Sequence, residues 1–299
     1  MKLHPVLIAV VAFAAHGQSH EHGAAQPAPA AQAPALSARP SAGRPPANRE
    51  WTRQPLLLPG KGGRGERAAA VLRPQGLAAV TVTVFAAEGP PERLKVDYPV
   101  GAEGARIETA SPKIGNYHWV TAREENPGEV RMASAVWYFG NPGAAPTDLL
   151  KQPKHELEIV PDPLPREHAS YRESEKWRFF VRWNGQPLAG QAIQMETEFG
   201  SRSSFVTDAA GFATVLFPRD FKAADGPAGG GHGPRRAAFV LSTLKEAEGR
   251  RFLTAFNHTY GQDGDRDKSL GWGAAFGLIG MIAATPLLRR RKTGENSNA

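Results

Sequence analysis

Nine histidines and no cysteine set the chemistry open to this chain of 299 residues. Without thiols there is no disulfide framework and no thiolate metal site, so imidazole is the one soft ligand present in quantity. Three of the nine fall in the short run His16-Gly17-Gln18-Ser19-His20-Glu21-His22. Three imidazoles and one carboxylate within seven residues can bind nickel, cobalt, copper or zinc, because neutral ring nitrogens suit all four. A new amino terminus beside His16 would add a fifth donor. With cleavage after Ala15, the amine and ring of His16 chelate one ion together; with cleavage after Ala14, that chelate loosens. His16, His20 and His22 are therefore the candidate metal ligands. Affinity there is expected to be modest, since nothing nearby in sequence fixes the rings.

The remaining histidines are dispersed. His118 lies between aromatics in Asn116-Tyr117-His118-Trp119-Val120, which reads as a structural imidazole. His155 and His168 flank a proline-rich stretch, Pro161 to Pro165, and His258 alternates with aromatics in Phe256 to Tyr260. A folded site would need His118, His155, His168 and His258 to converge, which the sequence leaves open. His232 sits in a glycine-rich stretch, Gly226 to Pro234. The chain carries no nucleophile elbow, no zinc-protease helix motif and no phosphate-binding loop, so no enzymatic activity is expected. The glycine-rich Gly60 to Gly65 lacks a strand–helix setting and reads as a surface turn.

The ends of the chain determine where those groups would work. Met1 to His4 is a short basic start, Pro5 to Ala15 is apolar, and Ala12-Phe13-Ala14 is an A-x-A cleavage pattern. Residues 1–15 therefore read as a signal peptide, with an uncleaved anchor as the alternative. Residues 16–48 are rich in Ala, Pro, Gln and Gly and bury too little to offset ordering entropy, so a histidine-containing disordered linker is expected. At the other end, residues 270–288 carry no charge, and Arg289, Arg290, Arg291 and Lys292 follow at once. Nineteen residues make a helix of roughly 28 Å, close to the hydrocarbon thickness of a bilayer. The basic cluster predicts a cytoplasmic end. The expected topology is a single-pass inner-membrane protein: a periplasmic or extracellular body, a stalk at 261–269, a transmembrane helix at 270–288 and a cytoplasmic tail at 289–299. Gly273 and Gly277 form a G-x-x-x-G on that helix, a spacing that would let two copies pair as a homodimer. Four of the positive charges behind the net +7 lie in the tail, and what is left is an interspersed surface, so nucleic acid is not an expected partner.

Between the ends the pattern is that of strands. Ala78 to Phe85, Leu94 to Tyr98, Asn116 to Ala122 and Val130 to Phe139 alternate or are rich in β-branched and aromatic residues. A short helix is expected near Pro146 to Leu150. Further strands follow at Glu156 to Val160, Lys176 to Trp183, Ala192 to Phe199, Ser204 to Thr207, Phe212 to Phe217, Ala237 to Leu244 and Arg251 to Tyr260. Asn184-Gly185 and Asp208-Ala209-Ala210-Gly211 are turn signals between them. Short strands at regular spacing predict an all-β fold of one or two antiparallel sandwiches.

The run RFFVRWNGQPLAGQAIQMETEF…SSFVTDAAGFATVLFP, within Lys176 to Pro218, carries the order strand, N-G-x-P-L-A-G, strand, T-D-x-x-G, strand, proline. With the upstream HELEIVPDPLP, it resembles exported prealbumin-like β-sandwich modules. In particular it resembles a family of periplasmic domains of unknown function often labelled as the periplasmic component of nickel or cobalt uptake. The resemblance covers roughly residues 150–260. It implies an immunoglobulin- or prealbumin-like sandwich over 149–260, behind an N-terminal β domain at 49–148. It also implies nickel or cobalt as the ion and a membrane transporter subunit as partner. The matching residues are structural rather than ligands. The expectation for function is thus an envelope accessory that captures a divalent metal for uptake, and the alternative is a metal-free β-sandwich displaying loops to a partner protein.

Overall fold

Side chains alternate between the two faces of a strand, so a strand that is apolar on both faces must lie between two layers. Residues 117–122 are of that kind, buried without a break. The computed structural model describes residues 50–60, 68–140, 142–166, 169–221, 235–263 and 270–289. The strands in chain order are β1 (Leu56–Pro59), β2 (Ala69–Gln75), β3 (Thr81–Ala86), β4 (Lys95–Pro99), β5 (Ala105–Glu108), β6 (Tyr117–Asn126) and β7 (Glu129–Tyr138). After the helix α1 (Thr147–Lys151) come β8 (Leu157–Pro161), β9 (Tyr171–Arg172), β10 (Lys176–Trp183), β11 (Gln186–Pro187), β12 (Ala192–Thr197) and β13 (Arg202–Val206). The series closes with β14 (Phe212–Leu216), β15 (Arg236–Ala247), β16 (Arg250–Gly261) and the helix α2 (Leu270–Arg289).

One long sheet runs β13-β12-β15-β16-β7-β6-β3-β4, with β9 added alongside β16. Two small sheets cover it. The set β8, β10, β11 and β14 packs on one face, where Trp119, Phe179, Ile193, Phe239 and Phe256 share a core. The set β1-β2-β5 packs on the opposite face, where Leu57, Leu72, Ile107, Val120 and Ala133 form a second core. Trp119 and Val120 are neighbours on β6 and point into different cores, so the strand is buried on both sides. The fold is all-β, as expected, but the long sheet is mixed rather than purely antiparallel. β16 runs parallel to β7, from Arg251 beside Glu129 to Phe256 beside Ser134. A parallel pair needs a long crossover, and here everything from α1 to β15 supplies it. The sequence boundary at 148/149 falls between β7 and the strands of the second half, yet strands from both sides belong to one sheet.

The turn chemistry follows the residues. Asn184 (φ 48°) and Gly185 (φ 80°) both occupy the left-handed region, as a two-residue turn between β10 and β11 requires. In the second turn the Asp208 carboxylate accepts the backbone N–H groups of Ala210 and Phe212, both at 2.9 Å. Gly211 has φ 80°, and a Cβ there would lie 2.9 Å from the Val181 carbonyl oxygen. Gly211→Ala is therefore expected to cost about 1–3 kcal/mol through backbone strain and that clash. A urea titration of the purified variant checks this, and an unchanged midpoint would refute it.

Among the described residues, no helix is long and apolar enough to cross a membrane. The side chains of α2 are described over 274–285 only. Within that span Phe276, Leu278, Ile279, Met281 and Ile282 are all exposed.

Candidate functional site

The three candidate ligands His16, His20 and His22 lie outside the described residues, as do His168 and His232. The folded body places the other three expected histidines in separate settings. His118, on β6, is 1 % exposed, and its Nε2 accepts the Ala110 N–H at 3.0 Å while its ring meets Phe139 edge-on. Burial pushes it down to about 4, against a smaller opposing effect of the Asn116 backbone. His155 precedes β8, with its Nε2 3.1 Å from the Thr121 hydroxyl. It too is pushed down to about 4, first by burial and then by Arg123 and Lys154, with Glu158 and Glu156 opposing. His258, on β16, is packed against Tyr171, Phe239 and Phe256, with burial again favouring the neutral ring. Neutral imidazoles held this way serve packing and hydrogen bonding. Among the described residues no group of three or more His, Asp or Glu side chains is placed to hold a metal ion.

A cluster of charges lies where α1 meets β8 and β10. Glu158 and Arg182 are cross-strand partners, 3 % and 2 % exposed, with Nε donating to Oε2 at 2.7 Å. The guanidinium also donates to the carbonyls of Lys151 (2.7 Å) and Gln152 (2.6 Å), which are left over at the end of α1. Glu158 Oε2 accepts the Lys154 N–H at 3.1 Å as well. Arg182 thus ties α1 and the Gln152–Lys154 segment to the small sheet. The Lys154 ammonium donates to the Gln152 carbonyl at 2.8 Å and lies 5.7 and 5.6 Å from the ring centres of Phe85 and Trp119. Burial, with Arg182 adding to it and Glu158 opposing, lowers Lys154 to about 8. Nearby, Arg123 grips both oxygens of Glu156 at 2.6 and 2.9 Å.

No protein-family model and no curated protein matches this chain. The resemblance to the periplasmic nickel and cobalt family rests on its motifs alone.

Beside the ion pair is an apolar cleft of about 350 Å³, lined by Leu150, Leu164, Phe180, Phe212 and the stem of Arg182. The sequence did not mark this region. Glu156 and Glu158 alternate with Leu157 and Ile159, and such a pattern ordinarily signals a wet outer face. Arg182 likewise alternates with Val181 on β10. Only the return of α1 over β8 makes that face an interior one.

Proposed function

We propose that this chain is a membrane-tethered accessory of the cell envelope. It presents a prealbumin-like β-sandwich on the outer side and captures a divalent transition metal for delivery to a membrane transporter subunit. The observation that carries the anchoring is α2. Its exposed Phe276, Leu278, Ile279, Met281 and Ile282 spread over about 220° of the circumference, and the arc they leave carries the small Gly277, Gly280 and Ala284. A helix apolar on every side suits a lipid surround, and in sequence the uncharged run continues over 270–288 into Arg289 to Lys292. His16, His20 and His22 supply the metal ligands, with nickel or cobalt as the ion by resemblance and copper or zinc compatible with the same donors. The described histidines have other work: His118 Nε2 accepts the Ala110 N–H, His155 Nε2 meets the Thr121 hydroxyl, and His258 packs among Tyr171, Phe239 and Phe256. Gly273 and Gly277 offer a contact for a second copy within the membrane.

A specific observation favours the second reading, a module that docks a partner without metal. The 350 Å³ cleft lined by Leu150, Leu164, Phe180 and Phe212 has the apolar character of a small binding site. One experiment separates the two. The full chain in detergent is titrated calorimetrically with nickel, cobalt, copper and zinc, and the titration is repeated after His16→Ala, His20→Ala and His22→Ala together. Micromolar binding that the triple variant loses is the expected result. Equal binding by both proteins would move the metal elsewhere, and no binding by either would leave the docking module.

A further inference from the structure

On β12 and β13 the outer face of the long sheet lies beyond the β1-β2-β5 layer. On β12, Ile193 and Met195 point into the core, so Ala192, Gln194 and Glu196 point out. Register places Ser204 of β13 and Ser242 of β15 on either side of Gln194, and Arg202 beside Glu196. The segment entering β1 runs along this face, fixed by Asn257, whose amide bonds both the N–H and the carbonyl of Leu57 at 2.8 and 2.9 Å. Between that segment and the sheet lies an open groove of about 730 Å³, with Trp51 and Gln54 on one wall and Gln194, Glu196 and Arg202 on the other. A second hollow of about 360 Å³ continues from it, sharing Gln54 and Gln194 and reaching Gln191 and Thr243.

The larger groove is lined by the planar amides of Gln54 and Gln194, the indole of Trp51, Thr52, Met195 and four charged side chains, with Ser204 beside Gln194 on the next strand. Gln54 gives one N–H to Glu196 at 3.3 Å, and Gln194 gives one to Ser204 at 3.0 Å. Each amide keeps an acceptor oxygen and a second N–H. Trp51 is half-buried, packed on Leu56, Val240 and Ala255, so its ring is held in place before any ligand arrives. The charges lining the larger groove balance, Glu50 and Glu196 against Arg53 and Arg202, which disfavours a polyanion. A sugar ring matches such a surface. Its C–H face stacks on an indole, and each hydroxyl donates and accepts at once, as amide and serine side chains do.

We infer that the groove between Trp51 and the outer face of β12 and β13 is a binding site for an uncharged oligosaccharide, held by stacking on Trp51 and by hydrogen bonds to Gln54, Gln194 and Ser204. The site needs neither the histidine tail nor the membrane helix, so it stands or falls apart from the metal reading. The groove is open along its length, which suits a chain of rings entering sideways better than a single small molecule.

The test is calorimetric titration of the full chain in detergent with chitohexaose, cellohexaose and maltohexaose. Saturable binding of at least one is expected, weakened about tenfold or more by Trp51→Ala, a loss in line with a single aromatic contact. Gln194→Ala and Ser204→Ala, both at exposed positions, are expected to weaken it severalfold with an unchanged melting temperature. They decide the matter if the Trp51 variant fails to fold. Preference for chitohexaose would point to the amino-sugar strands of the cell wall and preference for the glucans to a plain glucose polymer, and either supports the site. No heat with any of the three, or binding indifferent to Gln194→Ala and Ser204→Ala, overturns it.

Discussion

Replacing Arg182 with Met is expected to destabilise the fold by about 3–5 kcal/mol, because it leaves the Glu158 carboxylate buried without its counter-charge. Glu158 is 3 % exposed, and its Oε1 has no hydrogen-bond partner among the described residues. Its Oε2 would keep only the Lys154 N–H. The same change frees the carbonyls of Lys151 and Gln152, but both residues are exposed and water can replace the guanidinium there. The double variant Glu158→Leu with Arg182→Met should therefore recover most of the loss, to within about 1 kcal/mol of the parent, since a buried ion pair and an apolar pair are close in net stability. Urea unfolding followed by tryptophan fluorescence measures all three proteins. A single variant within about 1 kcal/mol of the parent would show that the pair is not sealed from water. The cleft reading depends on the same contact, because α1 forms one wall and Arg182 holds it down. Loss of Arg182 should open that wall even in the double variant, detectable as faster amide exchange at Leu149 and Leu150.

Acid should unfold this protein early, beginning below pH 6.5, because buried histidines must take up protons, His118 and His155 foremost and His258 in the same direction. His118 and His155 are each pushed from an ordinary 6.5 to about 4, mainly by burial. With the folded value below the unfolded one, the unfolded chain takes up protons across that interval and the folded chain refuses them. Stability is thus complete above pH 6.5 and falls as the pH drops toward 4. Keeping His118 neutral costs about 3 kcal/mol at the lower end, and the partly exposed His155 about 2. The sum, ~5 kcal/mol, is comparable with the whole stability of many domains. Carboxylates act in a lower window. Glu156 is held below its ordinary 4.5 chiefly by Arg123, so its contribution is present above 4.5 and disappears only as the pH falls further. Denaturation midpoints measured across this range separate the two effects. His118→Gln, whose amide oxygen can still accept the Ala110 N–H, and His155→Gln should each flatten the slope between pH 6.5 and 4 and leave the lower limb as it was. A parent protein equally stable at both ends of that interval would contradict the account.

Much of the β structure was legible because several strands, in the long sheet and in the sheet of β8, β10, β11 and β14, obey the simplest rule. β3, β4 and β12 to β14 alternate, and the turns at Asn184-Gly185 and Asp208 to Gly211 carry residues that tolerate positive φ. The layer β1-β2-β5 was not legible. β1 has four residues and ends in Pro59, β2 contains Arg73 and Pro74, and β5 is only Ala105–Glu108. Such pieces are too short and mixed to show a period, and they become strands because Leu57, Leu72 and Ile107 find the exposed side of β6 and β7. Nor did any pattern announce that β16 would lie parallel to β7, since register between distant strands is a property of the packed whole.

The candidate sites divide in the same way. Residue type and spacing alone singled out His16, His20 and His22, because chelation by a short run depends only on which donors lie close along the chain. The uncharged segment at 270–288 and its basic flank are equally local. Tertiary structure alone decided that Glu158 and Arg182 form a dry pair, that His118 and His155 are neutral rings, and that Trp51 and Gln194 share a groove although 143 positions apart in the numbering. A strand's polar face reads the same in sequence whether water or another element covers it. The difference is made by distant segments folding over it, and that burial sets both the energy and the protonation of every group beneath.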